Sequence, residues 1–257
     1  MYTIIKKCRI CSSTHLVNIL NLGSQTLANN FLKIKKKQTK IPLKLIICAK
    51  CKVVQISADV DPKVLFSNYF WITSTSKIAK DFSHKFVKAV ASRIKKKPSY
   101  ILEVASNDGL FLKRFKKKNC KVLGVEPAKN LAKLSNKNNI KTVNKFFDYS
   151  TSNYIKKKFG KPDIIIARNV IAHVKNIKSA IRGINNLISN EGIVVIEFHY
   201  SKKILNELHY DSIYHEHIFY FSAFTVIELF KRYNMHAFDI SESPISGGAL
   251  IIYFSKK

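Results

Sequence analysis

From Tyr100 onward, short runs of apolar, often β-branched residues alternate with longer stretches of helical period. YILEV (100–104), KVLGVE (121–126), DIIIAR (163–168) and GIVVIEF (192–198) are apolar at nearly every position. That is the pattern of strands covered on both faces, not of strands with one wet face. Between them, LFLKRFKKK, NLAKLSNKN and IKSAIRGINNLI repeat their apolar positions every three to four residues, which predicts amphipathic helices. The alternation predicts an α/β fold with a doubly wound, Rossmann-like parallel sheet. AFTVIELFKRYNMHAFDISES followed by GGALIIYF predicts a further helix and two strands that form an antiparallel edge.

The first hundred residues read differently. LNLGSQTLANNFL and IPLKLIIC read as short turns and a strand, punctuated by Gly23 and Pro42. VLFSNYFWITSTSKIAKDFSHKFVKAVASRI begins as an aromatic, hydroxyl-rich loop. It then turns helical, with Ile78, Phe82, Phe86 and Val90 four apart, until Pro98 breaks the helix. Three segments are expected: a small module over 1–60, an aromatic loop and linker helix over 61–98, and the α/β domain over 99–257.

Cysteine spacing assigns chemistry to the first segment. Cys8/Cys11 and Cys48/Cys51 form two C-x-x-C pairs separated by 36 residues. Two such knuckles supply four soft ligands that close a tetrahedral zinc site with no open position, hence a structural site. Cys120 stands alone and reads as a small buried hydrophobe. No apolar run reaches the 18 residues of a membrane span, and MYTIIKKCRICSS lacks the apolar stretch of a signal peptide. The expectation is a cytoplasmic protein without a membrane partner, in which disulfides are disfavoured.

With 257 residues, 46% of them hydrophobic and 24% charged, the chain can bury a core, which excludes disorder along most of its length. Its net charge of +29 raises the question of nucleic acid. Only Arg9, Arg93, Arg114, Arg168, Arg182 and Arg232 are arginines; the other basic residues are lysines, in scattered runs at 35–37, 95–97, 116–118 and 156–158. Readers of bases and phosphates favour the arginine fork, so solvated lysines explain the charge better than a polyanion-binding face.

Ligands of open α/β sheets bind beyond the carboxyl ends of the strands. After the first α/β strand come Glu103, Val104, Ala105, Ser106, Asn107, Asp108 and Gly109, and the second ends in Glu126. Small residues let a ligand approach the backbone, Gly109 can open the next helix, and Glu126 can accept hydrogen bonds from ribose hydroxyls. A turn this acidic and poor in glycine disfavours a pyrophosphate and suits a ligand with a positive centre, such as S-adenosylmethionine; it also reads as a plain strand-to-helix loop.

The motifs CRIC, CAKC, NYFWITSTS, LEVASNDGLFL, VLGVEPAKN, ARNVIAHV, IEFHY, YDSIYHEHIFYFS and SGGALIIY stand in one order from Cys8 to about Tyr253. In this the chain resembles the sugar-nucleotide C-methyltransferases that methylate C3 of a 4-keto-deoxysugar, class I S-adenosylmethionine-dependent enzymes with an N-terminal zinc-binding domain. The resemblance implies zinc ligands at Cys8, Cys11, Cys48 and Cys51, and cofactor contacts at Glu103, Ala105, Ser106, Asn107, Asp108, Gly109, Glu126, Asn130, Asn169 and His173. It further implies His217 as general base poised near neutral pH, Glu216 as its partner, and Tyr214 and Tyr69 on a nucleotide-activated sugar. Without the resemblance, HEH also reads as a polar loop, for it lacks the spacing of a helical zinc site. Ala105 and Ser246 stand where the family has Gly and His. The family's further Rossmann-like domain is expected from a separate polypeptide. The alternatives are a relative that binds S-adenosylmethionine or sugar nucleotide without catalysing alone, and a zinc-module methyltransferase that binds nucleic acid.

Overall fold

A computed structural model describes residues 2–32, 34 and 37–256; Met1, Lys33, Lys257 and, within the 35–37 lysine run, Lys35 and Lys36 lie outside the described residues. The first strands are β1 (Tyr2–Ile4), β2 (Leu16–Gln25), β3 (Ile41–Cys48), β4 (Val54–Ile56) and β5 (Ala58–Val60). β2, β3 and β4 form an antiparallel meander and β1 pairs with β5. LNLGSQ, expected to turn, is the second half of β2, which passes through Gly23 at φ +71°.

Helix α1 (Pro62–Phe66) leads into the aromatic loop, and α2 (Lys77–Ala91) follows with Ser76 as its N-cap. α2 ends at Ala91, well before Pro98. Its buried stripe is Ala79, Phe86, Val87 and Val90, while Ile78 is 61% exposed. The four-residue repeat therefore found the helix but set one edge of its apolar face a position early.

The rest is β6 (Tyr100–Val104), α3 (Leu110–Lys116), β7 (Lys121–Val125), α4 (Lys129–Lys137), β8 (Thr142–Val143), α5 (Tyr149–Phe159), β9 (Ile164–Arg168), α6 (Ile177–Leu187), β10 (Ile193–His199), α7 (Ser201–Asn206), β11 (Phe219–Tyr220), α8 (Ala223–Lys231), β12 (Met235–Ser243) and β13 (Ala249–Lys256). Seven strands form the main sheet in the order β12-β13-β10-β9-β6-β7-β8, parallel from β10 to β8 and antiparallel at β13 and β12. Alternate strand residues serve opposite cores. Ile101, Ile164, Ile166, Val195 and Ile251 pack under α2 and α3, whereas Leu102, Ile165, Val194, Ile196 and Ile252 pack with Ile155 of α5, Ile181 of α6 and Val226 of α8. Burial of both faces is why these strands show no polar alternation.

Strand order reverses between β6 and β9, which opens a crevice at their carboxyl ends. The cysteine-bearing sheet is joined to this domain in two ways. β11 is its fourth strand, pairing with β4 in the order β11-β4-β3-β2, and Cys8, Ile10, Cys48 and Val53 share a buried cluster with the α5–α6 core.

Candidate active site

At the reversal of strand order lies a cavity of about 940 Å³, at the upper end of the usual small-molecule range. Glu103, Ala105, Ser106, Asn107, Glu126, Asn169 and His173 line it; Asp108, Gly109 and Asn130 do not. Gly109 caps α3 at φ +80°, and a Cβ there would stand 2.8 Å from Ser135 Oγ, so the glycine serves backbone and packing. The two amides at Asn107 and Asn130 bond the aromatic loop instead. Ala105, Asn107 and Asn169 adopt φ of +53°, +53° and +48°, a conformation that costs a non-glycine residue roughly 1–2 kcal/mol. Ala105 thus holds a backbone shape that glycine adopts freely, which gives the departure at this position a physical meaning.

The turn offers oxygens in need of donors. Among the described residues that line the cavity, Glu103 Oε2, Ser106 Oγ and Asn169 Oδ1 are buried without a hydrogen-bond partner. Glu126 accepts the N–H groups of Asn107 at 2.7 Å and Ala128 at 2.9 Å, and burial still raises its pKa above the ordinary carboxylate value. Burial pushes Glu103 up to about 8 against the pull of Arg168, whose Nη1 lies 3.9 Å away. Arg168 is clamped by Glu197, which also accepts the Ser243 hydroxyl at 2.6 Å, and stacks 3.3 Å over Phe111. An amino group, a sulfonium and ribose hydroxyls are what these acceptors fit, so the residues present suit S-adenosylmethionine. Sequence reasoning missed Phe146 and Asp148, which line the cavity from the loop after β8; FFD ahead of α5, with Asp148 as its N-cap, was the available signal.

Tyr69, Tyr214 and His217 also line the cavity. His217 Nδ1–H donates to the Ser212 carbonyl at 2.7 Å, which leaves the Nε2 lone pair to accept the Tyr214 hydroxyl at 3.2 Å. His173 Nδ1–H donates to the Glu216 carbonyl at 2.9 Å, and its ring lies 4.9 Å from that of His217. The expected pairing of Glu216 with His217 is not made. Glu216 does not itself line the cavity; its carboxylate accepts Asn29 Nδ2 at 2.7 Å and the Tyr69 hydroxyl at 3.3 Å, two residues that do. Nor is His217 poised near neutral pH: burial, with His173 and His199 close by, lowers it to about 3, and burial lowers His173 to about 4.

Both imidazoles are therefore neutral throughout the neutral range. The unfolded chain binds their protons near pH 6.5 and the folded chain does not. Each then removes up to about 1.4 kcal/mol of stability per pH unit as pH falls from 6.5 toward its folded value. Glu103 acts in the opposite sense between about pH 8 and 4.5, where the folded state holds the extra proton. The expected site-level result is that the His173 and His217 ring resonances show no titration step between pH 7 and 5; a step at 6–7 in either would contradict the burial argument.

The four cysteines, none of which lines the cavity, converge on one another. Their Sγ atoms all lie within 4.8 Å of one another, with Cys8–Cys51 at 3.6 Å and Cys11–Cys48 at 3.5 Å. Sulfurs about 2.3 Å from one zinc ion would stand about 3.8 Å apart, so the set fits a closed tetrahedral site. Both knuckles use the same turn: Ser12 N–H donates to Cys8 O at 2.9 Å and Lys52 N–H to Cys48 O at 2.8 Å, with Ser12 and Lys52 at φ +62° and +61°.

Residues 76–237 match the family described as "Methyltransferase domain", which covers more than half of the chain. The chain belongs to that family. Its methyltransferase domain has a fold and residues suited to S-adenosylmethionine as cofactor, and residues 8–66 match a second family, "Putative zinc binding domain", in keeping with structural zinc on the four cysteines. The chain is 26% identical over 253 residues to the C-methyltransferase NovU of Streptomyces niveus, covering 97% of this chain and 60% of that protein. It thus spans about three-fifths of that relative's length. In fold it is similar to an S-adenosylmethionine-dependent methyltransferase from Clostridium acetobutylicum (TM-score 0.55, 10% identity, 71% of this chain and 93% of that one). It is also similar to the magnesium protoporphyrin IX methyltransferase of Synechocystis with bound SAH (TM-score 0.54, 8% identity, 76% and 92%). Among the described residues no helix is long and apolar enough to cross a membrane.

Proposed function

We propose that this methyltransferase moves the methyl group of S-adenosylmethionine to a carbon beside a keto group, on a nucleotide-activated 4-keto-deoxysugar. The carrying observation is the Tyr214–His217 pair on the cavity wall, its tautomer set by the Ser212 carbonyl; the likeness to a C-methyltransferase supports the same reading. The cofactor, when bound, supplies an electrophilic methyl group on a sulfonium. Glu103, Ser106, Glu126 and Asn169 would hold it, with the backbone of Ala105 and Asn107 close by.

On the substrate side, His217 Nε2 removes the proton from the carbon beside the ketone, and the electron pair moves onto the ketone oxygen. The Tyr214 hydroxyl caps this lone pair. Turning the hydroxyl onto the substrate oxygen uncovers Nε2 and stabilises the developing oxyanion in one movement. Burial raises the pKa values of Tyr69 and Tyr214 and keeps both as O–H donors. That matters because a base with so low a pKa needs the enolate to be well stabilised. Glu216 holds the Tyr69 hydroxyl and so sets where that phenol stands.

The test is incubation with a nucleotide-linked 4-keto-6-deoxysugar in heavy water, read by NMR and mass spectrometry. Deuterium should enter at the carbon beside the ketone when S-adenosylhomocysteine stands in for the methyl donor, and a carbon-bound methyl should appear with S-adenosylmethionine. A methyl on oxygen or nitrogen, or no exchange at that carbon, would reject the reading.

A further inference from the structure

The loop that carries Tyr69 has little burial to hold it: Phe70 and Trp71 are 66% and 57% exposed. Its backbone is held by two asparagine side chains. Asn130 on α4 brackets Tyr69, donating from Nδ2 to the Tyr69 carbonyl at 2.8 Å and accepting the Tyr69 N–H on Oδ1 at 3.1 Å. Asn107 repeats the device two residues on, donating to the Trp71 carbonyl at 2.9 Å and accepting the Thr73 N–H at 2.9 Å. Asn107 is also part of the cofactor turn, and its own N–H is held by Glu126, which lines the cavity. A chain of hydrogen bonds thus runs from Glu126 through Asn107 to the loop, and from the loop through the Tyr69 hydroxyl to Glu216.

We propose that Asn130 and Asn107 are positioning residues that fasten the Tyr69–Thr73 backbone to the cofactor turn, so that S-adenosylmethionine binding orders the loop that presents Tyr69 to the substrate. Two consequences follow from linkage. If the cofactor steadies the turn, it steadies the loop, and the ordered loop tightens the cofactor by the same factor. The site then fills cofactor first, because the substrate-side tyrosine reaches its place on a turn that the cofactor has already closed. The proposal rests on the cofactor alone and stands or falls apart from the identity of the sugar.

Two amides report on it directly, since the Tyr69 and Thr73 N–H groups are held by Asn130 and Asn107 side chains. Hydrogen exchange of the full zinc-loaded chain is measured with and without S-adenosylhomocysteine, with calorimetry on the same sample reading cofactor binding separately. At ligand near 100 times Kd, an opening incompatible with binding slows by up to about 100-fold, and slowing of at least about tenfold is expected at Tyr69 and Thr73. Asn130→Ala should make the Tyr69 amide exchange fast with or without ligand while S-adenosylhomocysteine still binds. Asn130→Asp, which retains the acceptor, should restore protection of that amide. Unchanged exchange of Tyr69 and Thr73 on ligand binding in the unaltered protein would overturn the proposal, as would an Asn130→Ala protein whose Tyr69 amide behaves as before.

Discussion

Replacing His217 by alanine is expected to lower methyl transfer by about 10²- to 10⁴-fold, the usual worth of a positioned general base, while S-adenosylhomocysteine affinity stays within about threefold. The separation follows from the layout of the cavity. The unpartnered acceptors Glu103 Oε2, Ser106 Oγ and Asn169 Oδ1 stand at the carboxyl ends of the parallel strands, whereas His217 packs its ring against those of Tyr214 and His173 and bonds none of these acceptors. Tyr214→Phe separates the two roles of that cluster. It frees His217 Nε2 but removes an oxyanion donor, so the lone pair gains access while the enolate loses support. If enolate stabilisation limits the rate, this variant should also lose turnover, by about 10²-fold or more; if proton access limits it, turnover should rise. Calorimetry and a coupled turnover assay on the three proteins decide the matter. A His217→Ala protein with unaltered turnover, or one that has lost S-adenosylhomocysteine binding, would remove His217 from the base role. In the unaltered enzyme, kcat/KM should show no acidic limb near pH 6.5, because the imidazole is already neutral there and stays so down to the region of pH 4.

How much of this was legible in the sequence depended on whether one residue type or a relation between distant residues carried the signal. Strands β6, β7, β9 and β10 announced themselves because burial on both faces leaves only apolar residues, and helix α6 did so because one stripe of isoleucines meets the sheet. Helix α5 went unnoticed: YSTSNYIKKKF has few apolar residues, and its boundaries are set by the Asp148 cap and by Gly160 instead. The four cysteines were readable from spacing because the chemistry is local to each knuckle. The roles of Asn107 and Asn130 were not, since an asparagine that binds cofactor and one that binds a backbone 34 or 61 residues away look alike in the chain. The same limit applies to Glu216, next but one to Tyr214 in sequence yet bonded to Asn29 and Tyr69 across the molecule. The low pKa of His217 depends on burial and on His173 and His199, neither of which adjoins it in the chain.

Removal of zinc is expected to unfold the cysteine-bearing sheet and to disable catalysis with it. Structural zinc contributes roughly 10–16 kcal/mol in small modules, against about 5–15 kcal/mol for the net stability of a whole domain, so the sheet cannot retain its fold once the metal is lost. The damage is then directed by topology. β11 is the outer strand of that sheet, pairing Phe219 with Gln55 and Tyr220 with Val54, and it begins two residues after His217. Ile56 N–H donates to the Ile218 carbonyl at 3.0 Å, and Asn29 of the same sheet region holds Glu216. Unfolding β2–β4 therefore releases the segment that places Tyr214 and His217, whereas the cofactor turn, built on β6 and β7, keeps its own sheet. Treatment with a strong chelator should lower far-UV strand signal and abolish turnover, with S-adenosylhomocysteine binding weakened far less. Cys51→Ser should reproduce this at reduced zinc content, and added zinc should reverse the chelator's effect alone. A metal-free protein with unchanged spectrum and turnover would show that the four cysteines hold the sheet without an ion, and the coupling between zinc and the catalytic wall would fall with it.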